Sequence, residues 1–283
     1  MTTILKFPLL EIKEKCLNLP VGQSCRFDEC PFCFAKEKSF SVTRIDEGIL
    51  YNCFRAKCGK RGFISSTTGT LQNNTIKKEP ENIFNEETRK LTVEESNFLQ
   101  GRFGLTPQEI EYQQILFCPR LKRVVFTLFD KSGLAIGYLA RWYEALNQGE
   151  KAIVKSYTYW NSKYSIHLHF PKLMNREQLK NKKLFCLVED VVSAIKLNRK
   201  IQTIALLGTS IPSDSIRALI GLDIMFCLDK DATTQAIKLQ NKFGLIFNSS
   251  RVVDLHKDPK DMKEDELNNL SQIINTMFVC DDD

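Results

Sequence analysis

Four of the ten cysteines in this 283-residue chain fall in two close pairs, Cys30-Pro31-Phe32-Cys33 and Cys53-Phe54-Arg55-Ala56-Lys57-Cys58. Thiols at such short spacing sit on turns and aim both sulfurs at one point, so two pairs close a tetrahedron around Zn²⁺. The intervening Ser39 to Asn52 has hairpin character with Asp46-Glu47-Gly48 at its tip, which is the layout of a zinc ribbon. Four protein ligands leave no open position for water. The ion would be structural, contributing folding energy that so small a module cannot draw from an apolar core. Cys25 precedes Cys30 by five residues and could replace a ligand. The tighter two-residue spacer favours Cys30, Cys33, Cys53 and Cys58 as the set and leaves Cys25 a spare thiol.

The second chemically capable group is acidic. Glu189-Asp190 follows the apolar run Leu184 to Val188, Asp229-Lys230-Asp231 follows Ile224 to Leu228, and Asp254 to Asp261 follows Arg251-Val252-Val253. Hard oxygen ligands in a partly open arrangement suit Mg²⁺ or Mn²⁺. In extended chain, Asp229 and Asp231 would point to one side and Lys230 away. A single acid after a strand is also what a helix N-cap looks like, but three clusters after three apolar runs point to metal.

These acids need a scaffold that brings them together, and the pattern from Lys183 onward supplies one. Apolar runs at Leu184–Val188, Thr203–Leu207 and Asp223–Leu228 alternate with helical segments at Val191–Asn198, Ser213–Leu219 and Ala232–Phe243. That alternation predicts a parallel α/β sheet, whose strand carboxyl ends share one edge. Upstream, Leu91 to Gln114 reads as two short helices with Thr92 and Thr106 as N-caps and Pro107 in a first turn. A hairpin follows, Val124–Phe129 and Leu134–Ala140 joined through Asp130-Lys131-Ser132-Gly133. Between Ile115 and Lys163 eight basic side chains, among them Arg123, Arg141, Lys151, Lys155 and Lys163, face three acidic ones, a surface where phosphate would sit. Trp142, Tyr143, Tyr157, Tyr159 and Trp160 lie among these cations, some able to stack on single-stranded bases and the others filling core. His167 and His169 alternate on a short strand with no third ligand nearby and are assigned to packing.

Composition bounds the rest. With 43% hydrophobic and 26% charged residues and a net charge of +6, the chain reads as an ordinary globular α/β protein, neither rod nor disordered polymer. No apolar window long enough to span a bilayer and no export signal occurs, and clustered cysteines in metal spacing suit a reducing cytoplasm. The expected organisation is a zinc-binding domain over 1–64 (ribbon 21–64), a flexible linker over 65–82, a basic α+β subdomain over 83–180, and the α/β parallel sheet with a C-terminal helix over 181–283. A linker of that length spans roughly 20–25 Å, so the ribbon could move relative to the body. Asp281-Asp282-Asp283 reads as a solvated tail, with docking on a partner protein as the alternative.

Taken together, these motifs resemble a known family. Cys30-Pro31-Phe32, Glu37-Lys38-Ser39-Phe40-Ser41-Val42 and Cys53-Phe54 resemble the zinc ribbon of DnaG-type primases. Arg123-Val124-Val125-Phe126 with Gly137-Tyr138-Leu139-Ala140-Arg141 resembles the basic strand pair of their RNA polymerase domain, and Val188-Glu189, Asp229-x-Asp231 and Lys257-Asp258-Pro259 resemble their Toprim metal site. The order is the family's from about Cys30 to Asp261, and the layout is most similar to bacteriophage primases. Two positions depart from the pattern. Cys33 stands where the family usually has His, and Ser193 stands where Toprim sites often place a further carboxylate, which Asp190 could replace.

The resemblance implies a DNA primase, a DNA-dependent RNA polymerase that makes short RNA primers on single-stranded DNA. It implies Glu189, Asp229, Asp231 and Asp258 as holders of catalytic Mg²⁺ or Mn²⁺, with Glu189, Asp229 and Asp231 central to catalysis. Arg123, Arg141, Lys155 and Lys230 become candidates for template or nucleotide contact. Ribonucleoside triphosphates, single-stranded template and a replicative polymerase are the implied partners, in the cytoplasm of a host cell if the chain is phage-encoded. No Gly-x-x-x-x-Gly-Lys-Ser/Thr run occurs, so unwinding is expected from a separate helicase in trans. The competing readings are a Toprim nuclease and a non-catalytic zinc-ribbon nucleic-acid-binding protein, the latter motivated by Ser193.

Overall fold

Alternating apolar residues and tight turns in the front module give an antiparallel sheet of order β1-β2-β3-β4: β1 (Ser24–Phe27), β2 (Phe40–Ile45), β3 (Gly48–Cys53) and β4 (Arg61–Ser65). This is a computed structural model, and it describes residues 6–16, 19–65, 84–149, 152, 154–161, 167–173 and 183–279. Most of the expected linker, together with Lys151, Lys163 and Asp281–Asp283, lies outside the described residues.

The β2–β3 register runs from Phe40↔Cys53 to Ile45↔Gly48, so Asp46-Glu47 forms the expected tip. Gly48, at φ 152°, lets the Ile64 carbonyl of β4 approach where a Cβ would stand. Phe27, Phe40, Val42 and Ile49 form the small core. A helix that the sequence pattern did not reveal, α1 (Lys6–Cys16), closes it with Ile12 and Cys16, both fully buried. Pro8 sits in its first turn, where a missing N–H is tolerated.

The second sheet, antiparallel and ordered β5-β6-β7-β8-β9, comprises β5 (Arg89–Lys90), β6 (Ile115–Cys118), β7 (Arg123–Phe129), β8 (Ala135–Arg141) and β9 (Ser156–Trp160). Before β6 come α2 (Val93–Phe103) and α3 (Pro107–Tyr112). Thr92 with Glu95 and Thr106 with Glu109 build complete capping boxes on them, fixing both starts at the expected residues.

The third sheet carries the site. β10 (Leu184–Val188), β11 (Gln202–Ala205), β12 (Asp223–Phe226) and β13 (Ser249–Val252) are all parallel in the order β11-β10-β12-β13. Both faces are covered, as a parallel sheet requires. One packs under α5 (Thr233–Phe243), the other under α4 (Val191–Leu197) and α6 (Glu264–Val279). The expected helical segment Ser213–Leu219 is a 3-10 helix; it starts behind Pro212 with no side-chain cap.

Two joints make these sheets one body. Val191, Val192 and Ile195 of α4 enter the core of the antiparallel sheet. At the second joint His169 exchanges backbone hydrogen bonds with Ala205 at 3.1 and 2.9 Å, while its buried Nδ1 accepts from the Phe129 N–H at 3.1 Å. His169 is therefore a packing residue, as the sequence suggested, and His167 stacks on Trp160 at 4.9 Å. The ribbon is docked as well. Ile45 and Leu50 are buried in the same cluster as Phe226, Phe243 and Phe247, Arg61 donates to the Phe247 carbonyl at 2.6 Å, and Lys242 pairs with Glu47 at 2.9 Å. This docking is apolar burial against α5 and its flank.

Candidate metal and nucleic-acid site

The ribbon cluster is built by two tight turns. Phe34 N–H donates to the Cys30 carbonyl at 2.8 Å, and Cys58 and Gly59 N–H groups donate to the Arg55 carbonyl at 2.9 and 2.8 Å. Phe34 (φ 56°) and Gly59 (φ 53°) turn through the left-handed region to do so. The result brings the sulfurs of Cys30, Cys33, Cys53 and Cys58 within 4.8 Å of one another, the only group of three or more such ligand atoms among the described residues. Sulfurs at ~2.3 Å from a tetrahedral ion stand roughly 3.8 Å apart, so this donor set fits one structural Zn²⁺. Burial pushes the Cys30 thiol up to about 12. At Cys33 burial works the same way, but hydrogen bonds from the Ala35 backbone and the neighbouring thiols bring it down to about 7. Cys25 is not in the cluster; it lies on β1 beside Cys16, whose thiol is raised to about 11 by burial and then by Cys25.

The acidic residues meet at the carboxyl edge of the parallel sheet. β10 delivers Glu189, β12 delivers Asp229, and the segment after β13 delivers Asp258. Glu189 Oε1 accepts from the Asp229 N–H at 3.2 Å, and Asp258 Oδ1 accepts from the Lys230 N–H at 3.3 Å. The Asp229–Ala232 segment is a turn, closed by Ala232 N–H on the Asp229 carbonyl at 2.8 Å, rather than the extended chain expected. Asp229 is largely buried while Lys230 and Asp231 are exposed.

Electrostatics separate the members. Burial raises the Glu189 pKa, and the Asp229 and Asp231 charges add to it. Burial also raises Asp229, against the pull of Lys260. Asp258 is lowered, because Lys260 and the Lys230 N–H outweigh its burial. Asp229 Oδ1 is buried without any hydrogen-bond partner. A buried carboxylate oxygen left unsatisfied is unfavourable, and a divalent cation is the partner that oxygen donors of this type fit.

Two residues at this rim escaped the sequence reading. Lys260, in the 3-10 turn Pro259–Asp261, places Nζ 2.7 Å from Asp258 Oδ2, 3.0 Å from Asp229 Oδ2 and 3.5 Å from Asp190 Oδ2. Burial disfavours its charge, but the carboxylates prevail and its pKa is raised. Lys196 of α4, only 4% exposed, donates to the Lys260 and Met262 carbonyls at 2.9 and 2.6 Å, and burial lowers it to about 8. A basic residue inside an acidic run gives little signal before the fold is known. Asp190 caps α4 through the Val192 and Ser193 N–H groups, and Ser193 Oγ donates to its Oδ2 at 2.7 Å. The N-cap reading thus holds at Asp190.

The basic candidates divide. Arg123 is 5% exposed, donates to the carbonyls of Lys155 and Val154 at 2.8 and 2.5 Å, and lies over the rings of Tyr157 and Trp142. It braces the β7–β9 side of its sheet instead of facing solvent. Lys155 and Lys230 are exposed. Arg141, half-buried, lines a cavity of about 300 Å³ with Arg102, Tyr143, Asp190 and Lys260. The Tyr143 hydroxyl is buried there without a partner. No described helix is long and apolar enough to cross a membrane.

Fold and site together define a class: a four-cysteine ribbon docked on a mixed α/β body with carboxylates at the end of a parallel sheet. Among solved structures, the chain is similar to the zinc-binding and RNA polymerase domains of the Aquifex aeolicus primase, with a TM-score of 0.51 and 16% identity over 96% of this chain and 83% of that one. The fold is that of the zinc-binding and RNA polymerase domains of DnaG-type primases. Also similar are the primase fragment of the bacteriophage T7 primase-helicase (TM-score 0.42, 15% identity, 86% and 95% covered) and a DnaG primase catalytic domain bound to single-stranded DNA (0.44, 17%, 64% and 74%). No protein-family model and no curated protein matches the sequence.

Proposed function

We propose that this protein is a DNA primase, a nucleotidyltransferase that joins ribonucleotides into short primers on single-stranded DNA. The observation that carries this reading is the convergence of Glu189, Asp229 and Asp258 at one sheet edge, with Asp229 Oδ1 buried and unpartnered, in a primase fold. The reaction has a 3′-oxygen attack an α-phosphate in line and expel pyrophosphate. Mg²⁺ or Mn²⁺, when bound, would neutralise the charge that develops on the attacking and leaving oxygens.

Glu189, Asp229, Asp231 and Asp258 are the residues that would hold such ions. Glu189, whose pKa is raised, would also take the proton of the attacking hydroxyl. Arg141 and Arg102, in the adjoining cavity, present guanidinium groups to nucleotide phosphates, and exposed Lys155 and Lys230 draw in the template backbone. Arg123 supports this surface from within. Incubation with single-stranded DNA, labelled ribonucleotides and Mg²⁺ or Mn²⁺ tests the reading: short RNA supports it, cut DNA would assign a nuclease, and binding alone would leave a non-catalytic protein.

A further inference from the structure

The Lys260 ammonium stands among the carboxylates of the rim. It engages one oxygen each of Asp258, Asp229 and Asp190, at 2.7, 3.0 and 3.5 Å. Its backbone is fixed from two sides, its N–H donating to Ser193 Oγ at 3.2 Å and its carbonyl accepting from Lys196 Nζ at 2.9 Å. A side chain 18% exposed, rooted in a turn held this way, is a built element of the rim.

From this geometry we infer that Lys260 is a resident cation, so that the site takes a single divalent ion where a two-ion clamp would otherwise form. The inference rests on the primase reading of the same site. Asp229 is the pivot. Its Oδ2 is bonded to the ammonium and its buried Oδ1 is open, so one carboxylate is shared between Lys260 and an ion on the Glu189 side, much as it would bridge two metals. On the other side, Asp258 Oδ2 stands at the distance of a charge-assisted hydrogen bond to Lys260, 2.7 Å, and Asp190 Oδ2 adds an ion-pair contact at 3.5 Å. A divalent ion there would need those oxygens near 2.1 Å and would face the ammonium directly, so the two cannot coexist. Lys260 is a positioning residue in this scheme: it neutralises and aligns Asp229, Asp258 and Asp190.

Titration of the zinc-loaded full chain with Mn²⁺, read by electron paramagnetic resonance and calorimetry, tests this. The ions counted are those abolished by Asp229→Asn, and thermal unfolding verifies that each variant is folded. Wild type and Lys260→Arg should each bind one Mn²⁺, and Lys260→Ala should bind two. Two ions in the wild type, or one in the folded Lys260→Ala variant, overturns the inference and leaves the primase reading intact. No ion in any variant, together with no RNA product, overturns the primase reading and this inference with it.

Discussion

The four thiols of the ribbon, which fit a zinc ion, and the carboxylates of the parallel sheet, which we propose as the holders of catalytic cations, are built on opposite principles. The thiols come from two turns flanking one hairpin, stand within 4.8 Å of one another and are complete with four ligands. The carboxylates come from strands that pair only through the sheet, do not close into so tight a group, and share their space with an ammonium. A closed site gives its energy to folding, whereas a site kept open and partly unsatisfied gives it to chemistry. The contrast predicts opposite responses to removing ligands.

The largest effect should follow zinc removal. Chelation, or Cys30→Ser with Cys53→Ser, should unfold the ribbon, since apparent zinc contributions are on the order of 10 kcal/mol. Hydrogen exchange checks it: β2 and β3 should lose protection while β10 and β12 keep theirs. Equal loss in both sheets would erase the distinction between the sites. Next, Asp229→Asn should leave the fold intact and lower dinucleotide synthesis by at least about 100-fold. Primer assays alongside thermal unfolding decide it.

A middle-sized effect concerns His169, whose Nδ1 is committed to the Phe129 N–H and whose burial lowers its pKa to about 3. The unfolded chain takes up that proton near 6.5. Stability should therefore fall with pH from about 6.5 toward 3, by at most about 1.4 kcal/mol per unit, and His169→Met should flatten the slope in denaturant titrations. Lys196→Met should cost about 1–3 kcal/mol, because it strips the hydrogen bonds from the Lys260 and Met262 carbonyls. The smallest change is a gain. Burial and then the Asp229 charge raise the Glu189 pKa, so its ionised form opposes folding, and that opposition grows as pH rises through the raised pKa. Glu189→Gln should then raise the melting temperature at neutral pH by roughly 2 °C while abolishing synthesis.

Legibility in the sequence follows the same division. Cysteine spacing specifies Cys30, Cys33, Cys53 and Cys58 because the ligands are local, and capping boxes at Thr92 and Thr106 mark α2 and α3 for the same reason. Strand ends place Glu189 and Asp229 on one edge, because parallel topology follows from alternating elements. Lys260 and Lys196 were not legible: their roles depend on a turn after β13 folding back over α4, a contact between residues 64 apart. Arg123 shows the limit for charge, since a basic residue in a basic stretch signals a surface until packing buries it between rings and carbonyls. The α1 helix carries a weak apolar pattern, and tertiary contact with the ribbon core forms it.

The clasp at His169 has a geometric result. Because the end of β7 and the edge strand β11 are bonded to the same short segment, the sheet bearing Arg141 and the rim bearing Glu189 are tied to each other through it. Any change in the spacing of Arg141 from Glu189 must therefore break these few hydrogen bonds or carry the whole segment along.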